Sequence, residues 1–457
     1  MKAFDYAVLD DAGLHFLRAG HWLCVPTPEA SHVGDLLQHA LDHNLARIWI
    51  TPGSALSTSL AASEDQMSQF IADAQAANWN LWAPNDQDFI SGWRAGTAKV
   101  QLAIPERSRR WTAFQACHDS TVLYAAIKYL QEALNIPLVW GPGNVGLRLI
   151  QQVNDTRRRA AYIRPSGSDL GIFMRYARQY HHTDLLWSRP LTEDERRCTW
   201  LHRYDKNNAY VGAASSANLG AGEYVYQTKP TFDEKIPGLW HILLSGESRF
   251  NGRDLPHPTS GQADSWQHSV TVKLCMELGY QVKILEALLF PEYHQTLRPW
   301  YELIAETRQK LLTPGAYKNA QAQAVAYGAI KNIYTSSLGK LAETARAASQ
   351  NPLYRPDWWC GVVALSRVRI LTKIAELAAV GYRPVAVHTD ALYFVSHEAD
   401  PLAALPGLVT QEHGIGRFKH VDSFPLADIG IEHFSPRIAT LEKRLRELGA
   451  QEVEVLG

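Results

Sequence analysis

Cysteine is scarce. Cys24, Cys117, Cys198, Cys275 and Cys360 are the five in 457 residues, and no two of them form a Cys-x-x-Cys pair. An odd, scattered set excludes a disulfide framework and a zinc ribbon, and the thiols are expected to be reduced and partly buried. Long hydrophobic runs are missing as well. No stretch approaches the roughly 20 apolar residues that a membrane-spanning helix needs, and Met1-Lys2-Ala3-Phe4-Asp5 lacks the apolar core of a signal peptide. The expectation is a soluble, cytoplasmic protein with no membrane partner. Net charge is nearly absent too. A formal charge of −1 excludes binding to nucleic acid through bulk charge and leaves a local basic groove as the remaining route. Arg107-Ser108-Arg109-Arg110-Trp111 and Arg157-Arg158-Arg159 are candidates for one, and each also reads as a solvated helix face.

What is present is ordinary globular material: 46% apolar and 20% charged residues, enough for the cores of two or three domains. Residues 1–190 read as a mixed α/β unit. Tyr6–Leu9 and His15–Leu17 form a hairpin around Asp10–Gly13, a helix follows near 30–44, and Ala46–Ile50 and Val100–Ile104 are strands. Ser120–Leu134 is a helix with Ser120 or Thr121 as its cap. The glycines of Val139–Gly146 match neither dinucleotide nor P-loop spacing, so this stretch is a structural turn before a helix. Ser188–Asp194 is a linker. Beyond it lie strands at Thr199–Tyr204, Leu239–Leu244 and Tyr280–Ala287, with a helix Val270–Leu278 closed by Gly279. Helices are expected at Leu297–Leu312, Lys318 to about Ser349, Trp359–Val380 and Pro436–Leu448.

Two carboxylates stand out. Val385-Ala386-Val387-His388-Thr389-Asp390-Ala391-Leu392-Tyr393-Phe394-Val395 reads as strand, tight turn, strand, with Asp390 at the tip. Asp205 ends another strand and opens Asp205-Lys206-Asn207-Asn208-Ala209-Tyr210. Two acids on separate strands of one sheet suit divalent cations, which take oxygen ligands and stabilise both the attacking and the leaving oxygen in phosphoryl transfer.

Three blocks, in order, resemble motifs of the family B DNA polymerases. Tyr204–Tyr210 is similar to their first catalytic motif, Lys331-Asn332-Ile333-Tyr334-Thr335-Ser336-Ser337-Leu338-Gly339-Lys340 to their fingers motif, and His388-Thr389-Asp390-Ala391 to their Asp-Thr-Asp-Ser turn. The resemblance covers about residues 196–420. It implies an α+β fold: a right-hand palm built on an antiparallel sheet, helical fingers, and an RNase H-like α/β domain in front. The boundaries would be 1–190 for a degenerate exonuclease-like domain, 191–297 and 351–420 for the palm, 298–350 for the fingers, and 421–457 for a reduced thumb or tail. Asp205 and Asp390 would be catalytic and hold Mg2+ (or Mn2+). Lys331, Tyr210, Asn208, Arg308 and Lys310 would meet the incoming dNTP, and Thr389, His388, Gly339, Lys340 and Lys419 the primer or template. DNA is the implied partner, with room for a replication or mobile-element protein.

Departures from the pattern are specific. Tyr210 is followed by Val211 instead of proline, Thr335 and Leu338 replace the usual Asn and Tyr, and His388 stands where the turn's first Asp belongs. His388 either makes the site less negative or is a packed residue of the hairpin. Arg308 and Lys310 also read as a solvated helix face, and Tyr210 as a core residue. The first strand lacks an Asp-x-Glu, although Asp5, Asp10 and Asp11 are acids there; Asn85–Asp88 and Tyr180–Asp184 echo later exonuclease motifs by chance. Proofreading is therefore not expected. The competing functions are a non-catalytic nucleic-acid-binding protein, a template-independent nucleotidyltransferase and, more weakly, a metal-dependent nuclease.

Overall fold

A computed structural model describes residues 6–19, 21–26, 33–82, 89–93, 100–107, 110–138, 141–156, 185–247, 255–343, 353–409 and 414–450. Arg157–Arg159, Asn85–Asp88, Tyr180–Asp184, Asp5 and part of the Arg107–Trp111 patch lie outside these residues. The chain divides into two compact units, Met1–Gln152 with Leu303–Lys340, and Val153–Glu302 with Leu341–Gly457. Among the described residues no helix is long and apolar enough to cross a membrane.

The first unit is built on a mixed seven-stranded sheet. Its strands are β1 (Tyr6–Asp10), β2 (Gly13–Arg18), β3 (His21–Val25), β4 (Arg47–Ile50), β5 (Asn80–Trp82), β6 (Phe89–Trp93) and β7 (Val100–Ala103), in the order β3-β2-β1-β4-β7-β6-β5. β1, β4 and β7 run parallel, and the other neighbours are antiparallel. Parallel strands are covered on both faces, which is why β1, β4 and β7 read as continuous apolar runs; Ala7, Val8, Ile48, Ile50 and Leu102 are fully buried. Helix Ser120–Leu134 lies against β1, with Tyr124 stacked on Tyr6 at 4.6 Å. Its cap is Asp119, which accepts from the Thr121 and Val122 N–H groups, one residue ahead of the expected Ser120 and two ahead of Thr121. A carboxylate is the better acceptor for two orphan donors beside a positive helix end.

Helix Ala320–Lys340 packs on Ser120–Leu134 and on Pro142–Thr156 within this unit. Gly143 and Gly146 explain the close approach. A methyl group on Gly146 would overlap Ser337 Oγ, and one on Gly143 would sit 3.0 Å from Ser336 O. The glycine-rich stretch therefore serves helix packing.

The second unit carries β8 (Leu186–Ser188), β9 (Trp200–Lys206), β10 (Leu219–Ala221), β11 (Val225–Thr228), β12 (Gly238–Ser245), β13 (Asp264–His268), β14 (Gln281–Leu289), β15 (Glu292–His294), β16 (Ala386–His388), β17 (Ala391–Ser396) and β18 (Phe418–Pro425). They form an antiparallel five-stranded sheet β18-β9-β17-β16-β8, a four-stranded sheet β11-β14-β12-β13 and the pair β10-β15. One face of the five-stranded sheet buries Tyr204, Val387, Leu392, Phe394 and Phe418 in a core with Val272, Leu274, Ile370 and Ile374. The other buries Leu201, Ala386, Ala391 and Tyr393 under helix Ile438–Glu447, through Ile438, Leu441 and Leu445. β8 corrects the linker reading. Leu186–Ser188, assigned by sequence to the first segment, pairs with β16. It is a short edge strand with Leu186 exposed, so no alternation marks it.

Replacing Gly146 by Ala is expected to destabilise the first unit by about 1–3 kcal/mol, the usual cost of overpacking. Thermal melts of Gly146→Ala with and without Ser337→Ala check this, since trimming the hydroxyl should recover part of the loss.

Candidate active site

β9 carries Asp205 one residue before its end at Lys206, and Leu201 and Tyr204 anchor the strand on opposite faces. Asp205 faces Ala391 in register, and the Lys206 N–H donates to the Asp390 carbonyl at 3.2 Å. The backbones of Asp205 and Asp390 are thus neighbours across one inter-strand gap of roughly 5 Å. β16 and β17 pair from His388↔Ala391, leaving Thr389-Asp390 as a two-residue turn. Thr389 has φ +59. A β-branched residue in the left-handed region is strained by about 1–3 kcal/mol. Its N–H is tied to Leu185 O at 2.9 Å and its side chain is buried, which hold the strained turn in place. Asn208, three residues after Asp205, is also left-handed at φ +53, a conformation Asn tolerates. It turns the chain into helix Ala209–Ala214, which carries a half-buried Tyr210.

Antiparallel register lines up Lys419, Asp205, Ala391 and His388 on one face of β18, β9, β17 and β16. Lys419 Nζ stands 3.5 Å from Asp205 Oδ2. The two Asp side chains offer the hard oxygen donors that a divalent cation takes, and Lys419 shows that Asp205 already draws a cation. Among the described residues no three His, Cys, Asp or Glu side chains converge tightly enough to hold a metal ion unaided.

Behind this row lies a buried polar network. Glu442, from helix Ile438–Glu447, is 7% exposed. It accepts the Tyr393 hydroxyl, and its Oε1 stands 3.0 Å from His388 Nδ1, with the ring canted off the ideal hydrogen-bond line. Burial opposes its ionisation, but the His388 and Tyr393 contacts outweigh burial and hold the carboxyl below its usual range. Arg203, two residues before Asp205, is buried and pairs with Asp422 at 2.6 Å. Sequence reasoning missed Glu442. Its signal was there: Ile438, Leu441 and Leu445 set an apolar stripe, and Glu442 occupies the stripe's i+4 position.

Lys206 points to the opposite face and is 9% exposed, its Nζ 5.5 Å over the Phe418 ring. Burial first, then Arg369, lowers its pKa to about 8 against the pull of Asp390.

In the first unit, Lys331 is half-buried on helix Ala320–Lys340. Thr335 Oγ1 donates back to the Lys331 carbonyl at 2.9 Å, and Asn332 bonds Thr112 and the Ala113 N–H, so these polar side chains serve the helix and its packing. Gly339 is half-buried and Lys340 is buried. Arg308 is buried and donates to Tyr327 OH at 2.9 Å, whereas Lys310 is exposed with its Nζ 5.5 Å over Tyr317.

No family model matches the chain, and no curated protein matches it by sequence. Its fold is mixed α/β with antiparallel sheets, and it is similar to that of DNA polymerases. The similarity is to phi29 DNA polymerase. Against that enzyme complexed with primer-template DNA and incoming nucleotides, the TM-score is 0.57 at 12% identity, over 92% of this chain and 84% of that one. Against its post-translocation binary complex with primer-template DNA, the TM-score is 0.55 at 14% identity, with the same coverage of 92% and 84%. Against its single-stranded DNA complex the TM-score is 0.53 at 13% identity, over 88% and 79%.

Two measurements test the site's physics. Thr389→Gly is expected to be more stable than Thr389→Ala by about 1 kcal/mol, since both delete the side chain but only glycine enters the left-handed region freely. Equal melting points would show that the positive φ is not held in solution. Lys206→Met should raise stability at pH 7 by roughly 1–3 kcal/mol. Between a folded pKa of about 8 and the ordinary lysine value of roughly 10.4, the unfolded chain binds the extra proton, so the wild type gains stability as pH rises. The advantage of Lys206→Met should shrink across that window in urea titrations.

Proposed function

We propose that the chain is a compact DNA-directed DNA polymerase of the family B type, which adds dNTPs to a 3′-hydroxyl and lacks proofreading. The observation that best supports this is the β9–β17 register, with Asp205 beside the Asp390 turn on a central antiparallel sheet, in a fold similar to phi29 DNA polymerase. On this reading the five-stranded sheet is the palm and the helices around Lys331 are the fingers. The first unit is an RNase H-like domain, a reading supported by the order in which antiparallel β3-β2-β1 continues into parallel β4 and β7. Asp10 closes its own hairpin with His15 at 2.7 Å, and Asp11 accepts from the Ala55 N–H, which supports a structural use of these acids.

Asp205 and Asp390 hold Mg2+ or Mn2+, which would supply charge stabilisation at the attacking and leaving oxygens. Lys331 grips the β- and γ-phosphates, joined by the exposed Lys310, while Arg308 ties helix to helix through Tyr327. Tyr210 and Asn208 line the nucleotide's sugar. Thr389, His388, Gly339, Lys340 and Lys419 face or support the primer–template. A second reading, a non-catalytic DNA-binding protein, draws support from the Lys419–Asp205 ion pair and from His388.

Primer extension separates them. Asp390→Asn should cut incorporation roughly 100-fold or more, since a carboxylate lost from the metal site removes several kcal/mol of charge stabilisation, with unchanged melting and unchanged DNA affinity. Lys331→Ala should slow incorporation about 10-fold. A wild-type protein that binds DNA but never extends a primer with Mg2+ or Mn2+ would leave the binding reading standing.

A further inference from the structure

Lys206 stands beside the Asp390 turn and has no part in the machinery proposed for Asp205 and Asp390. Its N–H donates to the Asp390 carbonyl at 3.2 Å, so its side chain leaves β9 at the tip of the sheet, on the face opposite Asp205. That side chain is buried, with its ammonium 5.5 Å over the Phe418 ring. Among the described residues Nζ has no hydrogen bond and no ion pair, yet it is not sealed from solvent. An ammonium stripped of most of its water and given no acid destabilises a fold.

Its neighbours add charge of the same sign. Arg369, from helix Pro356–Ala379, donates to Gly212 O at 2.8 Å and to Ser216 Oγ at 2.5 Å. Both acceptors are neutral, and a guanidinium has five donors, so most of its capacity is unused. Gly212 lies against Gly416, since a methyl group on Gly212 would come within 3.1 Å of the Gly416 Cα. The next residue, Arg417, pairs through its backbone with Asn207, one position after Lys206, and its exposed guanidinium has no partner among the described residues. Lys373 follows Arg369 by one helical turn but already pairs with Glu376 at 3.1 Å. Strand, helix and loop thus bring Lys206, Arg369 and Arg417 together beside a single facing acid, Asp390. Cations in excess over an aromatic floor attract an anion, and the guanidinium fork suits phosphate.

We propose that Lys206, Arg369 and Arg417 form a phosphate-binding site beside the Asp390 turn, on the face of the sheet away from the Asp205 carboxylate, with Lys206 as its central contact. This deepens the proposed function and rests on it for the source of the phosphate, which is the backbone of a DNA strand or the triphosphate of a dNTP. The bound phosphate supplies the counter-charge that the fold withholds from Lys206.

Binding is measured on the full-length protein in EDTA, so that neither metal nor turnover enters. One arm titrates a fluorescent single-stranded oligonucleotide at several salt concentrations, and the other titrates a dNTP and inorganic tripolyphosphate by calorimetry. Lys206→Met should weaken binding in at least one arm by about 10-fold, as expected for a lost charge-assisted contact, while melting no lower than wild type. If the strand backbone is the source, the slope of log affinity against log salt should shrink by roughly 0.7, the value for one phosphate contact on a single strand. If the triphosphate is the source, the dNTP and tripolyphosphate should lose affinity together. A loss that leaves the salt slope unchanged and spares tripolyphosphate marks a distorted strand tip and overturns the inference. Lys206→Met indistinguishable from wild type in both arms also overturns it, and primer extension by the wild type then leaves the proposed function standing. A wild type that binds no ligand in either arm and extends no primer removes both.

Discussion

The pairing of β9 with β17 is the constraint on which the second unit depends. Because side chains alternate across a strand, a slip of one residue would turn Asp205 into the core position of Tyr204 and move every apolar contact to the wrong face. Both faces resist that slip. Tyr204, Leu392 and Phe394 are sunk in one core, while Leu201, Ala391 and Tyr393 are sunk in the other. The Lys206 N–H to Asp390 carbonyl bond closes the ladder at the tip where the two acids sit.

Each acid also has a left-handed residue nearby, Asn208 three residues after Asp205 and Thr389 immediately before Asp390. The chain leaves the sheet just beyond Asp205 and reverses at Asp390, so one carboxylate lies near a strand end and the other on a turn. Asn pays little for that conformation and Thr pays more, so the strain is concentrated in the hairpin. The surrounding contacts that hold it, Leu185 on the Thr389 N–H and the paired strands on either side, are what make the turn's geometry durable.

Charge around the tip is closely balanced. Lys419 meets Asp205 on one face, Lys206 is held over Phe418 on the other, and the Glu442 carboxylate stands 3.0 Å from His388. A site with basic neighbours on both faces need not rely on the chain's overall charge, which is near zero. Helix Ile438–Glu447 is bound to the sheet by an apolar stripe and one buried carboxylate.

Local chemistry made much of this legible. Alternating apolar residues marked β9, β16 and β17, Gly279 marked a helix end, and the acids could be placed near strand ends because polar residues interrupt the apolar runs there. What stayed hidden depends on long-range packing. β8 has no pattern of its own and becomes a strand only by pairing with β16. Leu303–Lys340 belongs to the first unit, where its helix packs on Ser120–Leu134 and closely beside Gly143 and Gly146, and no local signal names those partners. The sequence by itself determined which residues could do chemistry and on which elements they ride. Only the tertiary structure decided that Glu442 stands behind His388 and that Lys206 is buried, because burial and charge pairing are set by neighbours hundreds of positions or only a strand away, and the linear order does not contain those distances.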